Sequence, residues 1–327
     1  MRGLLRVLGR VLALLVFVVV AMWALGPYED SELAAGFDPS RLGNGVQTYF
    51  DAAEARFHDI TPGVEKRVIW AGEPETKTPF AVVYLHGFSA TSEEIRPVPD
   101  RIAQALGANL VFTRLTGHGR PGDAMGAVTV PLWMADTAEA LAAARAVGEK
   151  VIVVSTSTGG TLSAAAAVDP SLSQSVAAMI MVSPNFGINH PLADLATYPA
   201  ARYWIPLIEG ERRSWTPKDD THATYWTTDY PTTAGVVLAA LVKAVDGLDF
   251  ARADIPALFW FSAGDETVRP DKTREIAGRW GGAATVNEVT VGPGDDDHVI
   301  AGDIRSPGQT DAAVAGMLAW LAEQGIE

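Results

Sequence analysis

Cysteine is absent from this 327-residue chain, which removes disulfides, thiolate metal sites and a cysteine nucleophile together. Positive charge is scarce: 25 Lys and Arg face 39 Asp and Glu, for a formal net charge of −14. A nucleic-acid partner is excluded on that ground, because such binding rests on neutralising phosphates with Lys and Arg. Also missing are a Gly-rich dinucleotide loop, a Walker sequence and an HExxH pair. Neither a nucleotide cofactor nor a metal is therefore expected. No internal repeat or low-complexity tract is visible. With 48% hydrophobic and 20% charged residues the chain is globular and long enough to bury a substantial core.

One long apolar run stands at the N-terminus. Arg2, Arg6 and Arg10 precede an uncharged stretch over residues 11–25, and no acid occurs before Glu29. That length suits the apolar region of a secretory signal. Adding Leu4, Leu5, Val7 and Leu8 extends it toward the roughly 20 residues of a spanning helix. The first reading of residues 1–26 is an uncleaved signal anchor. The alternatives are a cleaved signal, with a weak site at Ala24-Leu25-Gly26, and a buried core helix. Arginines before the run stay cytoplasmic, so the remainder is expected on the periplasmic or extracellular side, or secreted if the signal is cleaved.

Residues 27–64 read as a lead-in segment. From Glu65 short β-rich runs alternate with Ala-rich segments of helical spacing, the pattern of βα units and a mostly parallel sheet. Strands are predicted at 66–71, 80–86, 109–114, 150–155, 177–182, 256–262 and 285–291. Helices are predicted at 92–106, 134–147, 159–167, 271–280 and 309–323. Near-continuous apolar runs such as VIVV and PALFWF imply strands covered on both faces. About 70 residues then separate two strands where a short connection is usual. This stretch reads as a lid over 186–250, inserted into a core of 65–185 and 251–327. Its aromatics are Tyr198, Tyr203, Trp204, Trp215, Tyr225, Trp226 and Tyr230. They either pack the lid onto the sheet or line an apolar pocket.

In VIVVSTSTGG a buried strand runs straight into a Ser/Thr-Gly turn and then a helix. Such a turn pushes Ser157 out above the sheet, and it demands small residues two before and two after the nucleophile. Gly159 satisfies this. Ser155 stands where glycine is usual and is small enough to fit. A Ser/Thr-rich helix cap explains the cluster equally well, so Ser157 needs partners. Of six histidines, His298 follows the last strand, and Asp265 follows the strand before it. Loops at the carboxyl ends of parallel strands are where site residues gather. The order Ser157, Asp265, His298 is that of a nucleophile, orienting acid and base built on an open α/β sheet. Backbone N–H groups of Phe88, after Gly87, and of Thr158 are the expected oxyanion donors. His86 and His118 read as structural. Asp295, Asp296 and Asp297 read as a flexible acidic loop in preference to a cation site.

These residues carry a resemblance. HGF at 86–88, GHG at 117–119, STSTGG at 155–160, GDETV at 264–268 and DH at 297–298 resemble the α/β-hydrolase superfamily, in particular its carboxylesterase and monoacylglycerol-lipase-like branch. The resemblance spans about residues 65–325. It implies an α/β-hydrolase fold, with a mostly parallel central sheet flanked by helices and carrying an inserted lid. It also implies a serine hydrolase with Ser157 as nucleophile, His298 as base, Asp265 as orienting acid, and Phe88 with Thr158 as oxyanion donors. The expected activity is cleavage of a small-molecule or lipid-like ester through an acyl-serine intermediate, without a cofactor, on a chain held to the membrane by its N-terminal helix. The same triad serves amidases, thioesterases and acyltransferases, and the same scaffold serves non-catalytic binding proteins.

Overall fold

The structure is a computed structural model that describes residues 2–327. Met1, the first residue of the expected anchor segment, lies outside the described residues. The chain opens with a long helix, α1 (Arg2–Leu25). Gly26 closes it by donating to Met22 O at 2.7 Å, and Pro27 cannot extend it. Gly3–Leu25 is long and apolar enough to cross a membrane and is not buried against the rest of the protein. That removes the core-helix alternative and leaves a signal or an anchor.

Helix α2 (Val46–Glu54) follows. The sequence pattern of the lead-in does not show it, yet Val46 and Phe50 are buried in the main core. Its last residue, Glu54, pairs with Arg114 through two hydrogen bonds of 2.7 and 2.9 Å. The 27–64 segment is therefore fastened to the domain by both packing and charge.

The sheet begins with β1 (Arg67–Ile69) and β2 (Thr78–Leu85), then α3 (Val98–Ala105) and β3 (Asn109–Phe112). Helix α3 starts six residues later than the sequence pattern suggests. Residues 92–97 form turns, because Pro97 disfavours helical backbone at the residue before it. Next come α4 (Val130–Val147), β4 (Gly148–Thr156), α5 (Thr158–Ala167), α6 (Pro170–Ser173) and β5 (Val176–Val182). The inserted stretch holds α7 (Ala201–Glu209), β6 (Arg212–Ser214), α8 (Asp220–Tyr225), β7 (Asp229–Pro231) and α9 (Thr233–Asp246). The chain ends with β8 (Ala257–Ser262), α10 (Pro270–Arg279), β9 (Ala284–Val289) and α11 (Thr310–Glu323).

Seven strands form one sheet in the order β1-β3-β2-β4-β5-β8-β9. All neighbours are parallel except β1 with β3. Side chains of a strand alternate between faces, and the apolar runs divide accordingly. Val83, Leu85, Val151, Val153, Met179 and Met181 pack on one face under α4, α5 and α9. Val82, Tyr84, Ile152, Val154, Ile180 and Val182 pack on the other with α3 and α11. Two-sided burial is the reason these strands read as continuous hydrophobic segments.

The insertion has two parts of different character. Strands β6 and β7 pair in a small antiparallel sheet. Helix α9, unforeseen in the sequence pattern, buries Val237, Leu241 and Val245 in the main core. Parallel strands β2, β4, β5 and β8 all end toward the insertion side, so the loops after them meet at one edge of the sheet.

Candidate active site

Ser157 lies between β4 and α5 with φ of 50° and ψ of −115°, a conformation that non-glycine residues rarely hold. Its neighbours fix it there. The Ser157 N–H donates to Val182 O at 2.9 Å, and its carbonyl accepts from Asn185 N at 3.0 Å. Gly159 is obligatory: a Cβ there would stand 2.0 Å from Leu85 O. Ser155, where glycine was expected, is fully buried and its hydroxyl donates to Ile180 O at 3.3 Å. A small side chain with its own acceptor fits that place.

The loops after β8 and β9 bring Asp265 and His298 to Ser157. His298 Nε2 lies 3.0 Å from Ser157 Oγ, and its Nδ1 lies 2.8 Å from Asp265 Oδ2. The other carboxylate oxygen of Asp265 accepts the N–H groups of Thr267 and Val268 at 2.8 and 3.0 Å. One oxygen is thus anchored to the backbone while its partner is left for the imidazole. Burial works against a charge on His298. The carboxylate of Asp265, with help from Asp296 and Glu94, outweighs it and lifts the pKa above the usual 6.5.

Of the two expected oxyanion donors, Phe88 lines the space beside Ser157, while Thr158, the next residue after the serine, is fully buried. Among the described residues neither the Phe88 nor the Thr158 N–H has a protein acceptor. Gly87 presses against the serine, for a Cβ on it would lie 3.2 Å from Ser157 Cβ. Ser157, His298 and Phe88 all line one cavity of about 490 Å³, whose far wall comes from the insertion. Trp215, Trp226 and Tyr230 line it, which answers for three of the seven insertion aromatics. Tyr198 and Tyr203 are exposed on the outside instead.

The family model for the alpha/beta hydrolases matches residues 82–304, well over half of the chain. The chain belongs to the alpha/beta hydrolase family. No curated protein matches it. Among solved structures it is similar to that reported for LipS and LipT, two metagenome-derived lipolytic enzymes, at 20% identity and a TM-score of 0.61 over 81% of this chain and 99% of that one. It is also similar to a soluble variant of monoglyceride lipase from Saccharomyces cerevisiae in complex with a substrate analog, at 12% identity and a TM-score of 0.59, covering 82% and 97%. The monoacylglycerol lipase of Paleococcus ferrophilus aligns at 15% identity with a TM-score of 0.53, covering 80% and 99%. At these identities the likeness is one of fold.

One further residue of this hydrolase-family site escapes the sequence pattern, whereas His86 and His118 are the structural residues expected. Glu94 is buried at the cavity wall, where its Oε2 accepts Gly87 N at 2.7 Å and Tyr84 Oη at 2.8 Å. Burial pushes its carboxyl up to about 7, against the opposing pull of those two donors. Nothing in SATSEEIRP distinguishes Glu94 from Glu93, which lies in a half-buried ion pair with Arg67. His86 accepts the Leu115 N–H at 3.1 Å and contacts Gly87 O at 2.9 Å, so it ties the end of β2 to the loop after β3. Burial holds its pKa well below 6.5 and that of His118 at about 4, so both are neutral braces.

The acidic triplet, expected to be a flexible loop, is instead held residue by residue. Asp296 accepts the N–H groups of His298 and Val299 at 2.9 and 2.7 Å and pairs with Arg305. Asp297 accepts from Ser262 Oγ at 2.7 Å, and Asp295 accepts from Gly308 N at 3.2 Å. These bonds make it a scaffold for the His298 loop.

Proposed function

We propose that this chain is a serine hydrolase that cleaves carboxylic esters. Ser157 Oγ attacks the ester carbonyl carbon while its proton passes to His298 Nε2, and Asp265 holds the imidazole through Nδ1. The negative oxygen of the tetrahedral intermediate is received by the Phe88 and Thr158 N–H groups. Collapse expels the alcohol, which takes the proton from His298 and leaves an acyl-Ser157. A water molecule, deprotonated by His298, then attacks the acyl carbon, releases the carboxylic acid and restores the serine.

One observation carries this reading: a strained serine whose Oγ is 3.0 Å from an imidazole that is itself 2.8 Å from a buried carboxylate. The apolar acyl group of the substrate would occupy the cavity walled by Trp215, Trp226, Tyr230 and Ile205. In this reading residues 186–250 form the lid, and residues 1–26 anchor the domain on the outer side of a membrane.

The test is fluorophosphonate labelling of the full chain in detergent, with the adduct located by peptide mass. We expect a single adduct at Ser157 that is lost in Ser157→Ala. An adduct on another serine, or none in folded protein, would overturn the reading.

A further inference from the structure

Helix α7 has two unlike sides. Ala201 and Ile205 are buried, and Ile205 lines the cavity above Ser157. On the outside Tyr203, Leu207 and Ile208 are 69%, 84% and 62% exposed. Three large apolar side chains in water on a nine-residue helix need an occupant.

The N-terminal end of α7 is fastened to the exit of α1 by three separate kinds of contact. The rings of Trp23 and Tyr198 meet edge to face at 5.0 Å. Ala200 N donates to Pro27 O at 2.7 Å. Arg202 grips Glu29 with two hydrogen bonds of 2.7 Å. Backbones are close as well, since a Cβ on Gly26 would come 2.5 Å from Pro199 Cβ. The exposed apolar helix α1 is thus joined through Trp23 and Tyr198 to the segment that leads into α7. Trp and Tyr gather where a spanning helix leaves the hydrocarbon, and Tyr28 and Tyr198 both contact Trp23 at the end of α1.

We propose that the outer face of α7 is a membrane-contact surface, resting through Tyr203, Leu207 and Ile208 on the bilayer that α1 enters. The inference rests on reading α1 as an anchor. It assigns a second contact, made by the insertion itself. The occupant is lipid, because this exposed apolar face belongs to a helix tied through the Trp23–Tyr198 pair to a helix long enough to span a membrane. With a net charge of −14 the chain favours an uncharged headgroup surface over an anionic one. One helix then separates lipid from cavity, and an apolar acyl chain reaches Ser157 without crossing bulk water.

The chain's lack of cysteine permits a clean test. A nitroxide is placed on the full chain in phosphatidylcholine vesicles at Leu207→Cys, at Val16→Cys inside α1, and at Val286→Cys, an exposed position on edge strand β9. The expected result is that positions 16 and 207 collide preferentially with lipid-soluble oxygen, and position 286 with an aqueous nickel chelate. Position 207 in water with position 16 in lipid would overturn the proposal while leaving the anchor intact. Position 16 in water would overturn both. Dipolar broadening between labels at 207 would place a second copy there and overturn it too. A paired readout uses Leu207→Ser with Ile208→Ser. Turnover of a vesicle-embedded ester falls about tenfold, as expected when two apolar side chains no longer enter the bilayer, while turnover of a soluble short-chain ester holds. Equal loss on both substrates, or no loss on either, would contradict it. The nitroxide readout needs no catalysis, so its failure is separable from failure of the serine-hydrolase reading.

Discussion

The carboxylate of Glu94 receives the Gly87 N–H at 2.7 Å, one residue before the proposed oxyanion donor Phe88. The same oxygen receives Tyr84 Oη, which in turn stands 3.0 Å from Thr156 Oγ1, the residue before Ser157. One buried acid thus joins the loop that offers one donor to the turn that carries the serine. Glu94 acts as a positioning residue in this arrangement.

Removing it should loosen the loop without touching the nucleophile. Glu94→Ala is expected to lower kcat by about tenfold to a hundredfold, the loss of about 1.4 to 3 kcal/mol of transition-state stabilisation. KM for a soluble aryl ester should change little. Glu94→Gln keeps an acceptor oxygen for Gly87 and should restore most of the rate. Steady-state kinetics on the three proteins decides it, and an alanine variant with full kcat refutes the role.

The same group makes stability depend on pH. Burial raises the Glu94 pKa from 4.5 to about 7, so the folded protein tolerates the neutral acid better than its anion. Its contribution to stability is complete below about 4.5 and is lost as pH rises through about 7. The full swing is on the order of 3 kcal/mol. Urea midpoints measured across that window should fall with rising pH in the native protein and fall less in Glu94→Gln. Parallel curves for the two would show that Glu94 is not the source.

His298 must be neutral to accept the serine proton. Because Asp265, Asp296 and Glu94 together lift its pKa above 6.5, the acid limb of kcat/KM should lie above that value, with activity rising as pH rises through it. Asp265→Asn removes the main stabilising charge. It should move the limb to lower pH and cut kcat by several orders of magnitude, as the imidazole loses its orienting acceptor. A pH profile that is flat from about 5 to 8 counts against His298 as base.

The two small positions of the elbow should respond in opposite ways. At Gly159 a methyl group would stand 2.0 Å from Leu85 O, a backbone atom that cannot move without shifting β2. Gly159→Ala should cost several kcal/mol and abolish labelling of Ser157. Ser155→Gly removes only a long hydrogen bond of 3.3 Å and should change stability by about 1 kcal/mol or less. Thermal midpoints with fluorophosphonate labelling compare the pair, and a tolerated Gly159→Ala would refute the packing account.

The central strands are legible because each is buried on both faces and so writes its identity locally, as in VIVV of β4 and ALFWF of β8. Legibility failed where burial depends on a distant partner. Helix α2 offers only Val46 and Phe50 to the main core, and α9 is obscured by the aromatic and polar stretch before it. The start of α3 lies later than the pattern implies because segment 92–97 keeps a helical pattern of polarity that Pro97 disfavours.

The residue chemistry and its order along the chain were settled by the sequence alone: a serine after one strand, an aspartate and a histidine after two later ones, no cysteine, and one apolar helix at the start. Tertiary structure decided everything that depends on distance. It brought Ser157 and His298, 141 positions apart, to 3.0 Å. It chose Glu94 over Glu93 for the cavity wall, and it set α7 against the exit of α1. Chain order follows from topology, which short-range patterns encode. Contact depends on how the sheet twists and the loops pack, and no local pattern carries that.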